Sequence, residues 1–437
     1  MNSFSKNSLI TFFTQVVVFI FGFIASIILA RVLGPDDRGI YAILILIPGV
    51  LAMIGNLGIG TANIYFGANR KYKLENILSN SLVCAVGFSV LLSLIFLIIS
   101  TTTFFQNYLN SNNINPFHLW LAMAVFPLLL LYNFLRSVLL SREKIIRYNI
   151  PDFLQSISFL ILIVLLLIVL KEGVFGAILS YIFSFLVATI LVIIWISAFA
   201  KIRFSFNFNL FKDSIFFGGK AYLGNIAQFL NYRLGMFLAG YFLNTAAVGY
   251  YAVSVGIVER LWLVPGAMAL VLFPRVSAIG DKKANILTPQ VVRHTLFIVF
   301  LLSLVLIFFA KPFIQILYGT SYLPSIVPLL VLLPGIIALS ISKILVGDLV
   351  GRGKPEIGMV ASFVSLIANI LLIILLAPKW GLAGIAFAST IAYFLTAVMI
   401  IIQFSKFSKI SLRELLIIKK RDFQLYINLL KWMKFKT

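Results

Sequence analysis

Glu259 and Arg260 stand side by side about twelve residues inside an apolar stretch that runs over roughly 248–273. A charge that deep in hydrocarbon costs about 2.5–3.5 kcal/mol even on a lenient insertion scale, so it marks a functional candidate. Neighbours on a helix point roughly 100° apart and cannot serve one partner equally well. Arg260 is therefore the candidate contact for an anionic group, with Glu259 paired elsewhere; the alternative is a structural ion pair between helices. Arg233 lies in the preceding stretch, roughly 215–239, at a depth that differs from Glu259 by about 8 Å at 1.5 Å per residue. It is either the partner of Glu259 or a second anion contact. Asn225, Gln228 and Asn231 recur at intervals of three and form one polar stripe, suited either to the hydroxyls of a sugar or to hydrogen bonds between helices. Gln15, in the first apolar stretch, can add to it. Lys220, near the start of its stretch, either receives an anionic headgroup or snorkels to the interface. Asp348, in the stretch 325–349, joins Glu259 as a candidate carboxylate for ion coupling, whereas Lys343 and Arg136 read as snorkelling cations.

Other chemistry is poorly served. Cys84 is the sole cysteine, so it can make no intrachain disulfide, and no ligand cluster surrounds it in sequence. His118 and His294 are far apart. No metal and no cofactor are expected, and no hydrolase, kinase or redox motif is present.

The elements that carry these residues follow from hydropathy. Of 437 residues, 62% are hydrophobic, and the mean hydropathy is +1.09. Soluble domains run at roughly 45–50% apolar. Apolar stretches of about 20 residues, the length that crosses roughly 30 Å of hydrocarbon as a helix, recur throughout. The pattern predicts an all-α integral membrane protein with about twelve spans, near 9–30, 40–66, 77–101, 117–140, 151–170, 174–199, 215–239, 248–273, 294–317, 325–349, 357–377 and 381–404. The first is too long for a signal peptide, and Arg31 and a Gly-Pro turn follow it rather than a small-residue cleavage site.

The net charge of +22 suggests nucleic acid at first sight, but its distribution does not. The N-terminus, alternate loops and the C-terminal tail hold 25 Lys and Arg, against four in the other set of loops. That is a positive-inside signal and places both termini in the cytoplasm. The charge mostly records topology and attraction to an anionic inner leaflet. No nucleic-acid partner is expected; membrane lipids are.

An internal repeat organises the spans. Leu33, Gly39, Tyr41 and Ala42 match Leu243, Gly249, Tyr251 and Ala252 at an offset of 210. The loops SREK at 141–144 and GRGK at 351–354 share that offset, and GVFG at 173–176 matches GLAG at 381–384 at 208. The halves are an N-terminal six-helix bundle (1–200) and a C-terminal one (215–404), joined by a cytoplasmic linker (201–214) and followed by a basic amphipathic tail (405–437). Six spans each gives both halves one orientation, the arrangement of transporters with a site between two lobes. The repeat aligns Arg260 with Val50, Glu259 with Gly49 and Arg233 with Phe23, so the charged part of the site is expected in the second half.

SIILARVLGPDDRGIYAI at 26–43, LGIGTANIYF at 57–66, Gln15, the GRGK loop and the GLAG opening of the last span together resemble a known family. It is the polysaccharide repeat-unit flippases, the O-antigen or Wzx-type branch of the multidrug/oligosaccharidyl-lipid/polysaccharide exporter superfamily. The resemblance covers essentially the whole chain. It implies two six-helix bundles around a central cavity lined by spans 1, 2, 7 and 8. It also implies a polyprenyl-pyrophosphate-linked oligosaccharide as cargo, flipped from the cytoplasmic to the outer leaflet of a bacterial inner membrane. Coupling to a proton or sodium gradient, and partnership with a polysaccharide polymerase and a chain-length regulator, are expectations of the same kind. Two rivals remain. A drug or metabolite-cation antiporter of the same superfamily generally relies on acidic residues in its first bundle, and spans 1 and 2 contain none. A membrane enzyme of glycan assembly would need a larger outer loop than TTFFQNYLNSNNINP, which holds no acid or base.

Overall fold

The computed structural model describes residues 3–198, 200, 204–419 and 422, with the side chains of 3–9, 220, 221, 274 and 278 outside the description. Among the described residues nine helical stretches are long and apolar enough to cross a membrane. Glycine backbones divide two of these. Gly34 (φ 74°) interrupts the helix Ser3–Asn56, and Gly381 (φ 54°) interrupts Pro355–Ser408. Only glycine takes this left-handed conformation without a Cβ penalty, and Pro35 reinforces the first break by disfavouring helix at the residue before it. The helix Phe208–Phe242 adds another, 35 residues long and less apolar because it carries Lys212, Asp213 and Arg233. The total is twelve, as the hydropathy pattern predicts.

In chain order these are α1 (3–33), α2 (35–56), α3 (Leu74–Ser100), α4 (Pro116–Ser141), α5 (Ile145–Val169), α6 (Gly173–Ser197), α7 (Phe208–Phe242), α8 (Thr245–Ser277), α9 (Ile279–Leu317), α10 (Thr320–Gly351), α11 (355–380) and α12 (382–408). A ten-residue helix, Ile59–Ala68, prolongs the path of α2. α7 begins inside the segment expected to be a linker. Asn207 caps it by accepting from Leu210 N, and is itself held by Asn80 in a reciprocal pair of hydrogen bonds at 2.7 and 2.8 Å.

Two compact units emerge, 1–253 with 314–325, and 254–313 with 326–437. In the first, Phe66, Leu78, Leu135, Leu139 and Val192 form a core between the helix 59–68, α3, α4 and α6. Buried Asn63 donates to Ser81 Oγ (2.9 Å) and Ser137 Oγ (3.1 Å), tying the same elements with polar contacts. In the second, Leu272, Val292, Ile344 and Phe404 join α8, α9, α10 and α12. Large apolar side chains such as Ile98, Phe308 and Leu375 remain exposed, as lipid-facing positions require.

The repeat survives in backbone detail. Gly173 and Gly381 both have φ 54°. Glu143 (φ 54°) and Gly353 (φ 76°) turn their loops in the same way. Lys144 N donates to Leu139 O at 3.2 Å, and Lys354 N donates to Leu349 O at 2.8 Å. Gly39 and Gly249 meet as equivalents within the first unit. A Cβ on Gly39 would overlap the Thr245 carbonyl oxygen, and one on Gly249 would overlap that of Pro35.

The tail is anchored rather than loose as far as it is described. Ile410 and Leu415 enter the second unit's core. Arg293, fully buried, pairs with Asp422 through Nε (2.6 Å) and Nη2 (2.9 Å) and donates to Glu414 O (2.5 Å). The apolar residues Phe423, Ile427, Leu430 and Trp432 of the amphipathic pattern lie outside the described residues. The Arg293 guanidinium holds the Asp422 carboxyl down at about 2. A depressed carboxylate contributes stability above its unfolded pKa of about 3.9, and loses it as pH falls through the folded value. The tail should therefore resist protease throughout neutral pH and loosen only between roughly pH 4 and 2. Arg293→Ala strands a buried carboxylate and costs about 3–5 kcal/mol, so cleavage near 411–422 should accelerate strongly at pH 7. An unchanged cleavage rate in that variant would refute the anchoring role.

Candidate functional site

Pro265 shapes the centre of α8. It has no N–H to offer the carbonyl of Leu261, and its ring crowds the preceding turn. The chain tightens just before it into a 3₁₀ turn, Glu259–Trp262, closed by Leu263 N donating to Arg260 O. A mid-helix 3₁₀ segment often marks a functional hinge. Arg260 is the sixteenth of the 33 residues of α8, so the irregular turn sits at mid-span.

Three charges gather there within the second unit. Arg260 is half-buried and donates through Nη1 to the Gly256 carbonyl. Lys343 reaches in from α10 and sets its ammonium 4.3 Å above the Trp262 ring. Glu259, also half-buried, lies within electrostatic range of Lys343. Trp262 packs edge-on against Tyr393 at 6.4 Å. The constellation therefore has two cations, one carboxylate and an aromatic wall. The planar guanidinium can fork onto two phosphate oxygens while the ammonium acts as a point charge.

Lys343 takes a place other than the interface expected of a snorkelling cation. Its distance from the end of α10 suited snorkelling, but the ammonium turns onto the Trp262 ring, where a cation is attracted by the ring face. No one-dimensional signal marks this, because α8 and α10 are about eighty residues apart. Arg136 is a second such case. It pairs with Asp152, donates from Nε to Tyr148 O (3.1 Å), and lies 3.8 Å over the Tyr148 ring. Tyr132 Oη donates to the same Asp152 at 2.6 Å. A cavity of about 180 Å³ opens beside Arg136, with Asn56, Thr61, Asn133 and Tyr222 among its walls.

The remaining candidates are dispersed. On α7 the stripe is graded, with Asn225 exposed, Gln228 half-buried and Asn231 buried. Arg233 is half-buried, 5.9 Å from the Phe229 ring, and acts electrostatically on Tyr181. These residues belong to the first unit, whereas Glu259 and Arg260 belong to the second. Gln15 is exposed on α1. Lys220 lies on α7, but its side chain is outside the described residues. Asp348 is completely buried, receives the Thr288 hydroxyl and pairs with Arg352 Nε at 2.6 Å.

Residues 28–327 match the family described as polysaccharide biosynthesis protein. The chain is 24% identical over 411 residues to a Shigella flexneri protein named "Putative O-antigen transporter", covering 91% of this chain and 97% of that one. Among solved structures it is similar to the lipid II flippase MurJ in an inward closed conformation, with a TM-score of 0.73, 18% identity, and 97% and 92% of the two chains covered. It is also similar to an inward-facing multidrug resistance MATE family transporter of the MOP superfamily, with a TM-score of 0.69, 15% identity, and coverage of 90% and 94%. At such identities the likeness establishes the fold.

Proposed function

Since this chain belongs to the family described as polysaccharide biosynthesis protein, we propose that it flips a polyprenyl-pyrophosphate-linked oligosaccharide from the cytoplasmic to the outer leaflet for surface polysaccharide assembly. The observation that carries this reading is a 3₁₀ break at mid-span that holds Arg260 and draws the Lys343 ammonium onto its Trp262 ring. A pyrophosphate cannot cross hydrocarbon unaided, because an isolated buried charge is prohibitive. Arg260 at mid-span, with the Lys343 ammonium brought to the same 3₁₀ turn, supplies counter-charge where the barrier is highest. The oligosaccharide needs hydroxyl partners, which Asn225, Gln228 and Asn231 offer, with Arg233 beside them. The polar cavity next to Arg136 adds Asn and Tyr side chains of the same character.

Glu259 is the coupling carboxylate in this reading, by proton or sodium, because Asp348 is already neutralised by Arg352. The setting is a bacterial cytoplasmic membrane with both termini inside, consistent with the asymmetry of basic loops. A polymerase and a chain-length regulator are the partners that would consume the product.

The antiporter alternative shares the fold, but the first two spans supply no carboxylate at membrane depth for it. The enzyme alternative finds no support, since the relatives are named as transporters and flippases. Deletion of the gene should abolish surface glycan while lipid-linked repeat units accumulate on the inner leaflet. Normal surface glycan in a strain with no second flippase would remove the proposal.

A further inference from the structure

The two repeat halves treat one arginine differently. Arg142 and Arg352 are equivalents at an offset of 210, on loops that turn alike. Arg352 is ion-paired with two carboxylates. Its side chain is 4% exposed and lies 2.6 Å from Asp348 through Nε. It donates through Nη2 to Asp348 (3.0 Å) and through Nη1 to Asn285 (2.7 Å) and Asp281 (3.2 Å), although Nε itself makes no hydrogen bond among the described residues. In the first half the positions equivalent to Asp348, Asn285 and Asp281 hold Val138, Glu75 and Lys71. Lys71 reverses the charge at its position and bonds to Asp213 at 2.7 Å instead. Arg142 therefore lacks the two carboxylates that Arg352 pairs with, and its buried Nε, like that of Arg352, has no hydrogen-bond partner among the described residues.

That guanidinium borders an open pocket of about 480 Å³, where the loop after the helix 59–68 meets the loop after α4. Gly67 brings the two together; a Cβ there would overlap the Ser141 hydroxyl. Arg70, Arg142 and Lys144 contribute three positive charges to the lining, and Glu143 contributes one negative charge. A buried N–H without an acceptor is costly. Three cations around a cavity with one carboxylate favour an anionic guest. The pocket lies at the end of the spans, in the loops that the charge asymmetry assigns to the cytoplasmic face, where anionic headgroups are concentrated.

We propose that this pocket binds a phosphate group, with Arg142 forking onto two of its oxygens and Arg70 and Lys144 supplying counter-charge. The site shares no residue with the constellation on α8 and α10 and does not depend on the identity of the flipped cargo. A membrane-lipid headgroup and a free diphosphate present the same chemistry, and the test distinguishes them.

The purified full chain, in phosphatidylcholine nanodiscs, is titrated with short-chain phosphatidic acid and separately with inorganic pyrophosphate. Arg142→Gln should weaken binding about tenfold or more, the loss of one charge-assisted forked contact, and Lys144→Gln should weaken it severalfold. Lys171→Gln, on a loop of the opposite set, should leave it unchanged. Sensitivity confined to phosphatidic acid supports the site and identifies a lipid headgroup; sensitivity for pyrophosphate as well supports it and shows that the phosphate alone suffices. If Arg142→Gln does not fold, Arg70→Gln and Lys144→Gln carry the comparison. Failure of the wild-type chain to bind either probe, or equal binding by the wild type and every folded pocket variant, overturns the proposal.

Discussion

Arg260→Gln should abolish transport while the protein still inserts and accumulates in the membrane. Arg260 occupies the middle of α8 in a 3₁₀ turn whose geometry is imposed by Pro265 rather than by the arginine itself. Glutamine can keep a hydrogen bond to the Gly256 carbonyl, so the turn should persist. What disappears is a positive charge at the depth where an anion is least stable. A charge-assisted hydrogen bond contributes about 1.5–3 kcal/mol, and a headgroup gripped by both arms of a guanidinium loses the pair together. A barrier raised by about 3 kcal/mol slows the step roughly a hundredfold. Arg260→Lys should retain part of the activity, since the charge survives and the fork does not. The check is complementation of surface glycan synthesis, normalised to the amount of protein in the membrane. Full complementation by Arg260→Gln would show that this arginine makes no contribution to moving the cargo.

Gly39→Val should fail for a different reason, by forcing apart two helix backbones. A Cβ on Gly39 would coincide with the Thr245 carbonyl oxygen, and backbone at that distance cannot step aside as a flexible side chain can. Gly249 makes the equivalent approach to Pro35, so one crossing is specified twice by the repeat. Asp36 reinforces the contact by accepting from the Thr245 hydroxyl at 2.8 Å. Small residues are what allow membrane helices to approach this closely. Overpacking typically costs about 1–3 kcal/mol, and more where backbone must move. Gly39→Val and Gly249→Val should each lower the thermal midpoint of the purified protein. The double variant should fall short of the sum, because both substitutions disrupt one interface. Wild-type melting in either single variant would show that the crossing does not hold these helices.

The twelve helices were legible because their signal is local and strong. Twenty apolar residues in a row have no alternative in lipid, and the Gly34-Pro35 and Gly381 breaks coincide with turns visible in the sequence. The repeat was legible where a turn demands a particular backbone, as at Gly173 and Gly381. Side-chain partnerships across helices were harder. Lys343 and Trp262 meet only because α10 packs near the 3₁₀ turn, and hydropathy does not specify which face of α10 does so. Asp348 and Arg352 are four apart on one helix, a spacing that signals an ion pair, and the pair together with Thr288 accounts for the buried carboxylate. Arg293 and Asp422 were invisible in advance for the same reason as Lys343, since 129 residues separate them.

The central claim is that the chain moves a lipid-linked oligosaccharide between leaflets. Its most direct test is reconstitution. The protein is placed in liposomes whose polyprenyl-pyrophosphate oligosaccharide begins on one leaflet, and a membrane-impermeant glycosidase on the opposite side reports arrival. The account predicts rapid loss of protected sugar with the wild-type chain, and loss at the protein-free rate with Arg260→Gln. Protection in the wild-type liposomes equal to that in protein-free ones, with the imposed ion gradient intact, would contradict it.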